Sequence, residues 1–216
     1  MVKFSSKMKK LLLIITSLFT LNASWGDSPL TYTDFHKAYI DVPMVQKALK
    51  SKGKISKETM SYLVSDTNPL DVKLAIINAI GWSNDGTKRS EAYLNYVVKT
   101  KKYTAGINGN RLAFKWNATA DELICFAYIR AMEYYFDVTY ANEIAQLALL
   151  KNPNSLAVNL ISGLIKAQGL FLLNEWCYAA TQFNSIEQNT LLTKDLRKEG
   201  KFIICEYMQS IGANCK

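Results

Sequence analysis

The sequence contains a single histidine, His36, and this scarcity restricts the catalytic mechanisms open to the chain. Serine and cysteine nucleophiles usually depend on a histidine base, and zinc sites are built from several histidines or from Cys-x-x-Cys pairs, which are absent. Metalloprotease, phosphate-loop, EF-hand and dinucleotide-binding motifs are absent as well. We therefore predict no catalytic residue, no metal site and no cofactor, and we interpret His36 as a half-buried or surface helix residue.

The sequence also lacks long apolar runs. A short one lies at the N-terminus. Four lysines within residues 3–10 precede the apolar residues 11–21, and small residues follow up to Gly26. This order is typical of a secretory signal peptide, and a mainly apolar run of 11 residues is shorter than the ~20 residues of a membrane-spanning helix. We predict a signal peptide over 1–26, cleaved near Gly26 and leaving a secreted or periplasmic chain. Cleavage after Ala23 and an uncleaved membrane anchor are the alternatives.

The net charge of +8 overstates the basicity of the mature chain. Four of the 26 basic residues and none of the 18 acidic residues lie in 1–26, so the mature chain has a net charge of +4. The densest basic segment, 47–57, holds five lysines, and a second basic run covers 99–102. Because no aromatic residues alternate with these lysines, we interpret both runs as solvated helix ends and a turn, and we predict no nucleic-acid partner.

Four cysteines follow the predicted signal peptide, and all lie in the C-terminal half: Cys125, Cys177, Cys205 and Cys215. An oxidising compartment would allow them to form disulfides, and four cysteines permit three pairings. We favour Cys205–Cys215, because Gly212 would let the last segment fold back, and this leaves Cys125–Cys177 to join two helices. The alternative is that Cys125 and Cys177 are free and buried as small apolar residues.

Helix start and stop signals recur from residue 30 onward, whereas the alternation typical of strands is rare. Ser56 and a Thr119-Ala-Asp-Glu122 capping box supply N-caps, and each of the four prolines lies at or just before a helix start. The predicted helices cover approximately 43–53, 57–64, 70–80, 88–100, 120–136, 139–150, 155–168, 172–184 and 190–211. The segment 123–136 is apolar nearly all round, so we expect it at the centre of the core.

These signals predict one all-α domain over 27–216, made of stacked antiparallel helical hairpins as a short α-solenoid-like array or an irregular bundle. The long connection 103–117 is predicted to be irregular, either as a packed Ω-like segment or as a functional loop. It is a possible sub-boundary of the domain. Its possible binding surface consists of Tyr103, Arg111, Phe114 and Trp116.

Two segments, 68–80 and 152–164, are alike, since each places Asn-Pro before a helix and apolar residues at matching offsets. About 30 residues around Asn152-Pro153 resemble a tetratricopeptide repeat, with small or turn residues at the expected positions, Ala141, Ala148, Pro153 and Gly163. The bulky positions of that family depart from the pattern, at Asn159, Ser162 and Lys166. The resemblance implies stacked antiparallel helix pairs and a role in binding other proteins.

The expected function is non-catalytic binding of another protein, for example as a periplasmic immunity protein or inhibitor of a toxin or hydrolase. Aromatic residues of the C-terminal half are expected mainly in the core, with a few exposed as a recognition face: Tyr128, Tyr134, Tyr135, Phe136, Tyr140, Trp176, Tyr178 and Phe183. The alternatives are a helical glycan hydrolase with paired carboxylates and a carrier of a lipid or small ligand. No membrane partner is expected after signal cleavage.

Overall fold

The computed structural model describes residues 28–83, 86–104 and 109–215, and the predicted signal peptide lies outside these ranges. Within them a 3₁₀ helix, Phe35–Tyr39, is followed by ten α-helices. These are α1 Pro43–Leu49, α2 Lys57–Val64, α3 Leu70–Ile80, α4 Arg89–Lys101, α5 Gly109–Asn117, α6 Ala120–Glu133, α7 Thr139–Lys151, α8 Leu156–Leu172, α9 Trp176–Glu187 and α10 Lys198–Gly212. The prediction of an all-α fold is confirmed. No helix within the described ranges has the length and apolar character needed to cross a bilayer.

Local capping explains several of the helix boundaries. The Thr59 amide donates to Ser56 Oγ at 3.1 Å and starts α2. At the start of α6, the Glu122 amide donates to Thr119 Oγ1 at 3.2 Å and the Thr119 amide donates to Glu122 Oε2 at 2.8 Å. Gly81 ends α3 with φ +74°, a conformation that glycine adopts without steric cost. The predicted caps of these helices are therefore confirmed.

Helix α6 lies at the centre of the fold, as its all-round apolar sequence predicts. It packs against α3, α4, α7 and α8. Its inner residues are almost completely inaccessible to solvent: Leu123, Ile124, Cys125, Phe126, Ala127, Tyr128 and Ile129. The surrounding core is one continuous apolar cluster that extends along the chain from Leu30 to Met208.

The C-terminal helix returns to the N-terminal part of the chain. Helix α10 packs on both α9 and the 3₁₀ helix. At its start, the Arg197 amide donates to the Tyr39 hydroxyl at 3.0 Å, and the Arg197 guanidinium forms an ion pair with Asp41. In a solenoid each repeat contacts only its neighbours. This return contact therefore makes the fold an irregular bundle and not an open array.

The cysteine pairing that the sequence favours is wrong. The structure joins Cys177, at the start of α9, to Cys215, and it leaves Cys125 and Cys205 free and buried. Helix α10 continues through Gly212, so the chain does not fold back there and does not return Cys215 to Cys205. Closing a loop with a separation of 38 residues stabilises the chain by about 4 kcal/mol in the chain-entropy model.

The connection 103–117 is not irregular throughout, because residues 109–117 form α5. Phe114 is only 1% exposed and its ring lies 5.3 Å from that of Phe126, centroid to centroid. Burial of Ala113 and Phe114 against the core gives α5 one apolar side, and this packing stabilises a helix that local signals did not predict. Residues 105–108 lie outside the described ranges.

Helices α8 and α9 lie close together at Gly163. A Cβ at this position would lie 2.8 Å from Ile186 Cδ1 and 3.2 Å from Phe183 Cδ2. At Gly169, on the same helix, the nearest atom would be Val138 Cγ2 at 3.4 Å, an ordinary contact distance. The two glycines thus differ in the room that each leaves for a side chain.

We predict that Gly163→Ala is less stable than Gly169→Ala by about 1–3 kcal/mol, because both variants gain helix propensity but only the methyl group at position 163 must displace the Phe183 ring and the tip of Ile186. Gly169→Ala is the matched control and should be neutral or stabilising by up to about 1 kcal/mol through helix propensity. Urea unfolding followed by circular dichroism measures both. Equal stabilities for the two variants would contradict the prediction.

Candidate functional site

Large apolar side chains are exposed together where three helices end. Tyr134 and Phe136 follow α6, Leu172 and Leu173 end α8, and Trp82 follows α3. Phe136 is 62% exposed and Leu173 is 68% exposed. We call these five residues the Phe136 face. Isolated exposed apolar residues are normal in proteins, but a group of this size is typical of an interaction surface.

A buried tyrosine holds two aromatic rings of the Phe136 face. The Tyr135 ring meets the Trp82 ring edge-on at a centroid distance of 5.9 Å and the Phe136 ring edge-on at 5.1 Å. Such contacts contribute beyond the area that they bury. These contacts restrain the Trp82 and Phe136 rings at the surface of the chain.

Two adjoining cavities open beside Phe136. The larger, about 430 Å³, lies between the start of α7 and the end of α8, and Val138, Ile165 and Leu173 form part of its lining. The smaller, about 190 Å³, lies between Trp82 and Phe136. Asn142 also lines the larger cavity, and its buried Oδ1 has no hydrogen-bond partner within the described chain. The Phe136 face therefore combines exposed apolar side chains with two adjoining recesses.

The buried Arg89 guanidinium positions the elements beneath the face. Arg89, 5% exposed, begins α4. Its Nη1 donates to the carbonyl oxygens of Gly53, at 3.1 Å, and Gly81, at 3.0 Å, while Nη2 donates to Met132 O at 3.4 Å. Gly81 and Met132 lie at helix C-terminal ends, where free carbonyls carry partial negative charge. One cation thus joins the loop after α1 to the ends of α3 and α6. We call this meeting point the junction.

Glu133 adds a second set of hydrogen bonds to this junction. It is the last residue of α6, and its carboxylate accepts hydrogen bonds from the amides of Arg89, at 2.6 Å, and Ser90, at 3.2 Å. The Ser90 hydroxyl donates to the same carboxylate. An acidic group at a helix N-terminus satisfies free amides and opposes the helix dipole. The end of α6 is therefore held against the start of α4, immediately before Tyr134.

The sole histidine, His36, takes part in a buried hydrogen-bond network. His36 is buried in the 3₁₀ helix, where its amide and its Nδ1 lie 3.0 Å and 2.7 Å from Asn78 Oδ1. The Asn78 side chain in turn donates to the Tyr128 hydroxyl at 2.9 Å and to Thr33 O at 3.0 Å. This network links the N-terminal segment to α3 and α6. His36 is more buried than the sequence indicates.

The adjacent carboxylates of α6 have separate environments. Glu122 serves the capping box and also accepts a hydrogen bond from the Tyr103 hydroxyl at 2.7 Å. Burial raises the pKa of Asp121, Lys73 opposes this shift and Asp195 adds to it. Neither cavity beside Phe136 is lined by these carboxylates. The carboxylates that do line the smaller cavity, Glu133 and Asp137, are engaged by backbone amides, Glu133 by those of Arg89 and Ser90 and Asp137 by that of Thr139.

The free thiols are also poor nucleophiles. Burial raises the pKa of both Cys125 and Cys205 to about 12, so each remains a protonated thiol at neutral pH. Across the described ranges, no group of three histidine, cysteine or acidic residues could hold a metal ion.

The four residues that the sequence proposes as a binding surface are not all exposed. Phe114 belongs to the core, which excludes it from a surface, and Tyr103 is engaged with Glu122. Arg111 forms an ion pair with Glu91. Trp116 is 75% exposed and remains a candidate contact of its own.

The aromatic residues of the C-terminal half are divided by the fold. Several are core residues, namely Tyr128, Tyr135 and Phe183, whereas others are exposed, namely Tyr134, Phe136, Trp176 and Tyr178. The sequence expectation of a few exposed aromatics applies to this second group. The sequence analysis did not identify Trp82 as an exposed aromatic residue, because Trp82 lies in a connection between helices and carries no periodic signal.

We predict that Arg89→Met lowers the free energy of unfolding by about 2–5 kcal/mol, because buried carbonyls lose a charged donor. Arg111→Met is the matched control, since it removes an arginine from a surface ion pair and should cost less than about 1 kcal/mol. Urea unfolding measures both values. A loss at Arg89 no greater than that at Arg111 would show that the junction is unimportant.

We predict that Asp121→Asn stabilises the fold at neutral pH and that the gain disappears as the pH falls below 3.8, the ordinary pKa of aspartate. A raised pKa in the folded state means that folding favours the neutral carboxyl, so its charge destabilises the fold at higher pH. Unfolding experiments at neutral pH and at about pH 3 test this.

Asp137→Asn provides the opposite control. Hydrogen bonds from Thr139 lower the pKa of Asp137, so its charge favours folding and the variant should be less stable than the wild type at neutral pH. Changes of the same sign in both variants would contradict the assignment.

Comparison with family models, with curated proteins and with solved structures finds no match to this chain. The resemblance to a tetratricopeptide repeat therefore stays a prediction from the sequence.

Proposed function

We propose that this chain is an exported, non-catalytic protein that binds another protein through the Phe136 face. One form of this role is an immunity protein or inhibitor that covers a site on a toxin or hydrolase outside the cytoplasm. The observation that carries the proposal is the exposure of five large apolar side chains around two adjoining cavities. Interfaces are commonly anchored by aromatic and aliphatic side chains that enter such recesses.

Two further features support the proposal. The aromatic rings are held by Tyr135, so the surface is organised in the free chain. The Cys177–Cys215 disulfide is consistent with export, since disulfides persist mainly in oxidising compartments.

The proposal is tested by affinity capture from the secreted and periplasmic fractions of the source organism, followed by mass spectrometry. We expect the wild-type chain to retain one stoichiometric protein. Phe136→Ser and Leu173→Ser should each weaken binding about 30-fold, the effect of losing a hot-spot side chain. Leu191→Ser is the matched control, because Leu191 is also highly exposed but lies between α9 and α10, outside the face.

Circular dichroism must first show that the variants remain folded. Failure to retain a stoichiometric partner, or equal loss of binding in Leu191→Ser and Phe136→Ser, would contradict the proposal.

A small apolar ligand is the second candidate, and the size of the larger cavity favours it. Ligand sites commonly have volumes of about 300–1,000 Å³, and the cavity of about 430 Å³ falls within this range. Native mass spectrometry of the purified chain distinguishes this function, because a carrier would show a non-covalent adduct of low mass.

A further inference from the structure

The segment 50–54, which we call the lysine loop, presents three exposed lysines after the end of α1: Lys50, Lys52 and Lys54. Within the described chain none of them has an acidic side chain at ion-pair distance, whereas Lys47 is paired with Glu58. The predicted helix 43–53 ends early at Leu49, and Lys52 and Gly53 adopt φ values of +52° and +83°. The lysine loop is therefore a defined turn that holds unpaired cations at the surface.

The lysine loop lies beside the Phe136 face. Arg89 Nη1 donates to both Gly53 O in the loop and Gly81 O, which directly precedes Trp82. A Cβ on Gly53 would be 3.4 Å from Ser83 Cβ, the residue after Trp82. Lys88 is exposed and directly precedes Arg89. Aromatic and basic residues that are far apart in the sequence are thus neighbours in the fold.

Glu133 and Asp137 line the smaller cavity itself and are engaged by backbone amides, whereas the edge of the face formed by the lysine loop and Lys88 is positive. Segments 47–58 and 82–88 together contain six lysines but only two acidic residues, Glu58 and Asp85. Complementary charge at the rim of an interface steers association and selects the partner. Unpaired cations beside an apolar centre therefore match carboxylates at the rim of the bound molecule.

We propose that the protein partner of the Phe136 face is acidic, with carboxylates that lie against Lys54, Lys88 and the rest of the lysine loop when its apolar residues enter the cavities beside Phe136. The inference rests on the proposed function and names the chemistry of that partner. A protein fits better than a bilayer, because two separate recesses of about 430 Å³ and 190 Å³ can receive protruding side chains of a folded partner, whereas a bilayer presents a continuous apolar layer.

The test is selection of short random peptides displayed on phage against the full exported chain, with Phe136→Ser used for counter-selection. We expect enriched peptides to combine an aromatic or aliphatic residue with several aspartates or glutamates. Binding of the synthetic peptides should weaken about tenfold or more in Lys54→Glu/Lys88→Glu and between about 50 and 300 mM salt.

The matched control is Lys194→Glu/Lys198→Glu, which makes the same charge change at exposed lysines before and at the start of α10. Its peptide affinity should stay within about twofold of the wild type. Peptides that depend on Phe136 but lack acidic residues, or that tolerate Lys54→Glu/Lys88→Glu, would overturn the acidic partner and leave the proposed function intact.

Binding to vesicles of phosphatidylcholine with about 30% phosphatidylglycerol tests whether a membrane, and not a protein, occupies the Phe136 face. Binding to these vesicles that Lys54→Glu/Lys88→Glu abolishes, without any Phe136-dependent peptide, would overturn the proposal and assign the basic edge to a lipid surface. The absence of both Phe136-dependent peptides and vesicle binding would contradict the protein-binding function itself, together with the inference drawn from it.

Discussion

The guanidinium of Arg89 is the interaction on which the candidate site depends. Removing an arginine from water is unfavourable unless its donors find acceptors, and here the acceptors are carbonyls from three separate parts of the chain. Satisfying one buried cation thus requires the loop after α1, the end of α3 and the end of α6 to meet. Glu133 holds the amides of Arg89 and Ser90 and aligns α4 with the same junction. Trp82 directly follows Gly81, Tyr134 directly follows Glu133, and the lysine loop contains Gly53 itself.

The rest of the fold is stabilised by a central helix and by contacts that hold the C-terminal helix. Helix α6 supplies a central column of buried side chains, and the neighbouring helices cover it on most sides. The Arg197–Tyr39 contact and the Cys177–Cys215 disulfide secure α10 against the 3₁₀ helix and α9. These contacts stabilise helices, whereas the five apolar residues of the Phe136 face lie at helix ends and in connections between helices. This division is common in binding proteins, because a rigid framework can present variable connecting segments.

Helix identities and many boundaries could be predicted from the sequence, since caps act over three or four residues. Ser56, Thr119 and Gly81 illustrate this, because each operates within its own turn. Helix α5 could not be predicted, because its stability comes from packing Phe114 against Phe126. The disulfide could not be predicted either, since it depends on how α9 and α10 lie side by side. For the candidate site, the sequence indicated that some C-terminal aromatics would be exposed but could not select them.

The sequence by itself determined the all-α class, the central position of α6 and the lack of familiar catalytic motifs. These properties follow from residue types and short-range spacing, which are the same in any arrangement of the helices. Only the tertiary structure decided which aromatic residues remain at the surface and which lysines stand beside them. The segments that carry Gly53 and Gly81 meet at a single nitrogen of Arg89, and no local pattern encodes that meeting. Such long-range neighbours are selected by the global need to satisfy buried polar groups while the apolar core is packed.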